Sequence, residues 1–74
     1  MIVYKDILKR LKDAGYNTGI IMRNKLLSQA TVDAIRHNRP INTTSINIIC
    51  KLAQCQPGDI MEYVEDPAED SINE

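Results

Sequence analysis

The stretch from Asn17 to Pro40 decides the fold, and its sequence is NTGIIMRNKLLSQATVDAIRHNRP. Its pattern predicts two short helices joined by a turn. Asn17 opens the first helix and Ser28 opens the second, because each side-chain oxygen can accept a hydrogen bond from an unpaired N–H group of the first helical turn. Three apolar residues can pack this pair onto a core: Ile21, Val32 and Ile35.

Small and polar residues occupy the faces of the second helix that are left to point outward. They are Gln29, Ala30, Asp33, Ala34, Arg36 and His37. A short helix that lies across another, with small and polar side chains at its exposed N-terminal end, has the form that reads base edges in the major groove of DNA. The stretch therefore predicts double-stranded DNA as a partner.

Three more helices are predicted around this pair. Four residues before it follow the spacing of an apolar helix face: Tyr4, Ile7, Leu8 and Leu11. The helix that carries this face is expected from about Tyr4 or Lys5 to Ala14, ahead of the pair. Gly15 ends it, because glycine adopts a left-handed backbone without a Cβ penalty. The pair itself is expected at Thr18 to Lys25 and at Gln29 to His37. A fourth helix is expected after a cap at Asn42, Thr43 or Thr44, and a fifth is expected from Pro57 onward.

The remaining apolar residues complete the expected core and the chain ends. An inward face on the fourth helix is predicted from Ile46, Ile49, Cys50 and Ala53. β-prone residues lie at positions 2–4 and 61–64. We expect these two segments to pair as a two-stranded ribbon packed against the helices, within one chain or between two chains.

The overall charge conceals two parts of opposite sign. The 74 residues have a formal net charge of −1. Residues 1–61 hold all nine Lys and Arg and only four acidic residues, which gives +5, whereas the last thirteen residues hold six acidic residues and no basic one. We therefore assign residues 1–64 to one basic domain and expect residues 65–74 to be a disordered acidic tail.

The residues give no support to several other functional classes. The single histidine, His37, lies at a helix end with no Ser or Cys beside it, so an enzyme is not expected and no catalytic residue is assigned. Cys50 and Cys55 are expected to be free thiols in a reducing cytoplasm, and they lack the partners of a zinc site. No metal, cofactor or small-molecule ligand is predicted. No apolar run approaches the roughly 20 residues that span a bilayer, so we expect a cytoplasmic protein.

Motifs along most of the chain resemble a known family. Asn17 and Ser28 match its two cap positions, Ile21-Met22 lies at its Leu-Ala place, and the segment INIICKLAQCQPGDIMEYV looks like the fourth and fifth helices of small members. Over about residues 4–64 the chain resembles the Cro/CI-type (XRE-like) helix-turn-helix regulators of phages and bacteria. The resemblance implies an all-α, five-helix domain like that of λ repressor, encoded by a bacterium or a phage.

Three residues depart from the family pattern. Leu26 stands where the turn usually has glycine, and a left-handed backbone there would cost Leu about 1 kcal/mol. Met22 replaces a small alanine where the two helices approach each other. Asn38 replaces the glycine that closes the second helix of the pair, from Gln29 to His37, although Asn tolerates the left-handed conformation. We expect a turn that is wider or differently bent.

The resemblance also implies which residues contact DNA. The expected base contacts are Gln29, Ala30, Asp33 and Ala34, since Gln can pair with adenine and Ala can touch a thymine methyl. Asp33 can accept from cytosine, or it can simply suit the first half of a helix. The expected phosphate contacts are Asn17, Thr18, Thr31, Arg36, His37, Asn38, Arg39, Thr43 and Thr44.

The predicted function is that of a sequence-specific transcriptional regulator, and a repressor is expected. One such domain makes few contacts, so we expect a homodimer on two half-sites, joined through the Tyr63 region or the terminal strands. The alternative is a protein-interaction module of the same fold, such as an antitoxin, an antirepressor or an adaptor without strong DNA binding.

Overall fold

The computed structural model describes residues 1–65, and in this range the chain forms five helices and two short strands. In chain order they are β1 (Ile2–Tyr4), α1 (Ile7–Asp13), α2 (Thr18–Arg23), α3 (Gln29–Arg36), α4 (Thr43–Ala53), α5 (Pro57–Ile60) and β2 (Met61–Tyr63). The predicted five-helix domain with a small two-stranded element is thereby confirmed. The predicted acidic tail lies, apart from Glu65, outside the described residues.

Side-chain caps begin three of the helices, as the sequence predicts. The Oδ1 atom of Asn17 accepts from the N–H of Ile20 at 2.9 Å, which opens α2. Ser28 accepts from the N–H of Thr31 at 3.1 Å and opens α3. Asn42, rather than Thr43 or Thr44, caps α4 through the N–H of Ser45 at 2.8 Å. These caps satisfy N–H groups that would otherwise lack a helical partner.

The first helix begins later than its apolar spacing predicts. The expected start was Tyr4 or Lys5, whereas α1 begins at Ile7. Tyr4 belongs to β1, and Asp6 has a left-handed backbone with φ 50°, which interrupts any helix that would continue back from Ile7. At the other end, Gly15 has φ 99°, which confirms its predicted role.

The two chain-end segments pair within one chain. β1 and β2 run antiparallel, with Val3 opposite Glu62 at the centre of the pairing. The N–H of Lys5 donates to the C=O of Ile60 at 2.8 Å, and this bond carries the pairing toward α5. The predicted ribbon is therefore confirmed for residues 2–4 and 61–63, and its intrachain form is the one observed.

The core is entirely aliphatic, as expected for a chain without Trp or Phe. Its buried members come from all five helices and one turn: Ile7, Leu11, Ile21, Leu27, Val32, Ile35, Ile49 and Ile60. The predicted anchors of the α2–α3 pair are among them. Leu27 was not predicted, and it immediately precedes the cap Ser28 and lies five residues before Val32, the spacing of a hydrophobic staple at a helix start.

The inward face of α4 agrees in part with the predicted one, since Cys50 and Ala53 pack against the core together with Ile48 and Leu52. Ile49 is buried as expected, but its buried neighbour is Ser45, while Ile46, Cys50 and Ala53 are half-buried. Ser45 lies one turn before Ile49 on the same face, and its N–H donates to Asn42. A small residue whose backbone is already capped can therefore be buried there. None of the helices in residues 1–65 is long and apolar enough to cross a membrane.

Candidate DNA interface

The turn between α2 and α3 places its left-handed residue at Lys25 and not at Leu26. Lys25 has φ 55°. Its N–H donates to the C=O of Met22 at 3.2 Å, and the N–H of Leu26 donates to the C=O of Ile21 at 2.9 Å. This pair of bonds is the Schellman motif that closes a helix. The expectation that Leu26 would bear the strain is wrong, and α2 ends at Arg23 rather than at the predicted Lys25.

Burial explains why the strain falls on the lysine. The Lys25 side chain is exposed, whereas Leu26 is half-buried against the core. With Lys25 left-handed, the chain reverses direction in time for Leu26 and Leu27 to face inward. The turn therefore keeps a tight form without glycine, at a conformational cost of roughly 1–2 kcal/mol.

Two of the predicted base-contact residues bond to each other along the exposed side of α3. The Nε2 atom of Gln29 donates to Oδ1 of Asp33 at 3.0 Å. The same carboxylate oxygen lies 3.8 Å from a guanidinium nitrogen of Arg36. Gln29, Asp33 and Arg36 thus form a continuous polar row at i, i+4 and i+7. Ala30 is exposed beside this row, and Ala34 is half-buried.

Thr31 is part of the cap at the start of α3. Its hydroxyl lies 2.9 Å from the hydroxyl of Ser28, and its N–H donates to that same oxygen. The side chain is half-buried. Thr31 and Ser28 therefore stabilise the first turn of α3, the turn that carries Gln29 and Ala30.

Residues 36–39, at the end of α3 and just after it, have three exposed side chains and one side chain that is hydrogen-bonded to another element. Arg36, His37 and Arg39 are exposed. Asn38 is half-buried and has a left-handed backbone, as predicted, with φ 53°. Its amide bonds to β1, with Oδ1 accepting from the N–H of Tyr4 and Nδ2 donating to the C=O of Ile2, both at 2.9 Å. α3 itself ends at Arg36, one residue before the predicted end.

Tyr4 makes a second contact with this segment. Its hydroxyl donates to the C=O of Arg39. Burial raises the pKa of Tyr4 above its usual value. The start of the chain is thereby joined to the residues that follow α3.

The remaining predicted phosphate contacts lie at the starts of α2 and α4. The Asn17 side chain is engaged in its cap, and Thr18 is half-buried. Thr43 and Thr44 are exposed in the first turn of α4. Helix N-termini present N–H groups and a partial positive charge, both of which suit a phosphate.

Near α3 the exposed cations Arg23 and Lys25 were not among the contacts expected from the sequence, whereas Arg39 was. Within residues 1–65, Arg23, Lys25 and Arg39 form no ion pair. Arg23 ends α2 and Lys25 lies in the turn before α3, and both are exposed. Arg23 and Lys25 could have been selected from the sequence, because they are basic residues that lie shortly before the helix expected to enter the major groove. By contrast, Lys9 pairs with Asp13 on α1 at 3.0 Å, and this bond raises the pKa of Lys9.

The two cysteines are free thiols, as predicted, and both are half-buried. Burial, and then the neighbouring Cys55, raise the pKa of the Cys50 thiol. Among residues 1–65 no group of three His, Cys, Asp or Glu side chains could hold a metal ion.

Comparison with known proteins gives one match. A family model described as a Cro/C1-type helix-turn-helix DNA-binding domain matches residues 6–66. The matched range contains all five described helices and β2, whereas β1 precedes it. No curated protein and no solved structure matches the chain.

Proposed function

The chain belongs to the Cro/C1-type helix-turn-helix DNA-binding family, and we propose that it is a sequence-specific transcriptional repressor that reads the major groove with α3. The observation that carries this proposal is the form of α3. Its buried face is held by Val32 and Ile35, while Gln29 and Ala30 are exposed in its capped first turn. A rigid helix with an exposed polar N-terminal end suits the groove.

Gln29 is the principal base reader in this proposal. Its side-chain amide can pair with both N6 and N7 of an adenine. In the free protein its NH₂ group bonds to Asp33, so binding exchanges an internal hydrogen bond for one to the base. Asp33 then accepts from a cytosine amino group or keeps its ion pair with Arg36. Ala30 and Ala34 supply methyl contacts.

Phosphate contacts come from both ends of the helix pair. Exposed polar side chains flank α3, namely Arg36 at its end, His37 and Arg39 after it, and Arg23 and Lys25 before it. The first turns of α2 and α4 add Asn17, Thr18, Thr43 and Thr44, and the cap adds Thr31. Phosphate contacts position the protein without reading sequence. Asn38 is not assigned a phosphate, because its amide is hydrogen-bonded to β1.

A homodimer is part of the proposal. The large apolar side chains that are exposed within residues 1–65 all lie at the two-stranded sheet: Met1 45%, Ile2 48%, Tyr63 61% and Val64 38% exposed. The register places them in two cross-strand pairs, Ile2 with Tyr63 and Met1 with Val64, and exposed apolar side chains gathered at one end of a domain are typical of a protein contact surface. A second copy on this patch would give two α3 helices for two half-sites.

Binding-site selection from a random duplex library, followed by fluorescence anisotropy, tests the function. We expect a selected duplex to bind far more tightly than a random one. Gln29→Ala should cost about 1–3 kcal/mol on the selected duplex and little on the random duplex. An equal loss on both duplexes would contradict the role of Gln29. No binding to any duplex below about 100 μM at low salt would instead favour the protein-interaction module, since non-specific DNA binding is usually tighter.

A further inference from the structure

Asn38 joins the end of α3 to the sheet through both halves of its side-chain amide. The carbonyl oxygen accepts from the N–H of Tyr4, and the NH₂ group donates to the C=O of Ile2, each at 2.9 Å. Both partners are backbone groups of β1, which is more than 30 residues away in sequence. The contact is therefore tertiary, and it is not part of the helix end itself.

The side-chain amide of Asn38 pairs with the outer edge of β1, where a third strand would otherwise pair. In an antiparallel pair, alternate residues direct their backbone groups toward the partner strand. Met1 and Lys5 bond to the β2 side, through Val64 and Ile60. Ile2 and Tyr4 therefore direct theirs outward, where the Asn38 amide pairs with both. The outer edge of β1 is thus closed by a side chain.

The backbone of Asn38 closes α3 at the same time. Its N–H donates to the C=O of Ile35 at 3.3 Å, and the N–H of Arg39 donates to the C=O of Ala34 at 2.7 Å. This Schellman closure needs a left-handed residue, which glycine or asparagine supplies most readily. Only asparagine also supplies an amide for β1.

Arg39 is held from two sides as a result. Its N–H is bonded to α3, and its C=O accepts the Tyr4 hydroxyl of β1. Its side chain is exposed and forms no ion pair within residues 1–65. A cation on a restrained backbone loses less conformational freedom when it binds a ligand than one on a loose loop.

We propose that Asn38 is a positioning residue for DNA binding: with Tyr4 it braces the segment after α3 against the sheet, so that Arg39 meets a phosphate. This inference rests on the proposed function. It reassigns Asn38 from a predicted phosphate contact to a residue that acts through its neighbour. It also gives β1, which precedes the family match, a part in DNA binding.

Asn38→Gly is the appropriate variant, because glycine keeps the left-handed backbone and removes only the amide. We expect Asn38→Gly and Arg39→Ala each to weaken binding to random duplex by about tenfold, the scale of one hydrogen bond to a charged group. Each should make the negative slope of log K against log salt shallower by about 0.9, the value for one phosphate. The double variant should bind no more weakly than Arg39→Ala alone. Tyr4→Phe should produce a partial loss in the same direction.

Thermodynamic coupling separates positioning from a general structural role. If Asn38→Gly merely destabilised the fold, the affinity losses of the two single variants would multiply in the double variant. The salt slope of Asn38→Gly would then equal that of the wild type. Either result would overturn the inference. Lys51→Ala removes an exposed cation at the far end of α4 and serves as the charge control. Amide exchange of Tyr4, slow in the wild type and faster in Asn38→Gly, reports the bond itself.

The outcomes also distinguish the two proposals. A wild-type chain that binds no duplex overturns the proposed function and the role of Asn38 with it. A wild-type chain that binds, together with an Asn38→Gly variant that binds equally well, overturns the role of Asn38 alone.

Discussion

Asp33 lies between two side chains that DNA would recruit. It accepts a hydrogen bond from Gln29 and pairs with Arg36 on the exposed side of α3. An exposed pair of this kind contributes about 0–1 kcal/mol to stability. In the proposed interface its larger effect is on binding, because the carboxylate holds the Gln29 amide, offsets the Arg36 charge and repels phosphates.

Asp33→Asn should therefore raise the affinity for random duplex, several-fold at low salt, because one negative charge is removed from the side proposed to face DNA. Fluorescence anisotropy at two salt concentrations measures the effect, which should shrink at the higher salt. Asp13→Asn is the matched control, since Asp13 also pairs with a cation, Lys9, but on α1. Equal gains from both variants would argue that net charge alone acts and that Asp33 has no special position.

The polar row of Gln29, Asp33 and Arg36 also shows what the sequence does not predict about single residues. Helical spacing predicts that the three residues share an exposed face. Which of them bond to each other depends on side-chain rotamers, and the pattern of residue types does not determine those. The engaged state of Asn38 was hidden for a different reason, because its partners come from the other end of the domain.

At the scale of the elements, the starts of helices with a side-chain cap were more predictable than helix ends, whereas the uncapped start of α1 was missed. Asn17, Ser28 and Asn42 cap their helices through the backbone three residues later, so the whole interaction is local. The ends of α2 and α4 rest on left-handed residues, Lys25 and Gln54, whose own type does not favour that conformation. There the burial of the following residue decides the backbone, and burial is a tertiary property.

Lys25→Gly should stabilise the domain by up to about 1 kcal/mol. Glycine removes the cost of a left-handed side-chain residue, although it also loosens the unfolded chain, which reduces the gain. Urea denaturation measures the change. Lys12→Gly is the control, because Lys12 is exposed inside α1 and glycine there should destabilise the domain by up to about 1 kcal/mol. Destabilisation by Lys25→Gly would contradict the strain assigned to the turn.

Tyr4 shows how two local patterns can compete. Its spacing with Ile7, Leu8 and Leu11 fits a helix face, and its neighbours Ile2 and Val3 fit a strand. The strand prevails because Tyr4 pairs with Met61, bonds to Asn38 and is followed by a left-handed Asp6. The local pattern alone could not rank these two interpretations, since the deciding partners lie more than 30 residues away.

At the scale of the whole molecule, the exposed apolar patch at the sheet leads to a test of assembly. Val64→Lys places a charge on this patch and leaves the backbone bond from Val64 to Met1 in place. We expect sedimentation to show a wild-type dimer and a Val64→Lys monomer at the same concentration. Binding to a duplex with two half-sites should weaken accordingly, while binding to a single half-site should change little.

Asn47→Lys adds the same charge to an exposed position on α4 and should leave the dimer intact. A wild-type chain that remains a monomer at high micromolar concentration without DNA would contradict the homodimer. A dimer that survives Val64→Lys would place its interface elsewhere on the domain.

The brace at Asn38 has a consequence for the order of synthesis. β1 is the first described element to leave the ribosome and β2 is the last, yet β1 must pair with β2 before it forms a strand that can hold the residues after α3. The 25 residues from Arg39 to Tyr63 take roughly 1–5 s to translate at about 5–20 residues per second. During that interval α3 has been translated, but the strand that completes its brace has not. Under the role proposed for Asn38, the braced DNA-binding surface is complete only once β2 has been made and has paired with β1.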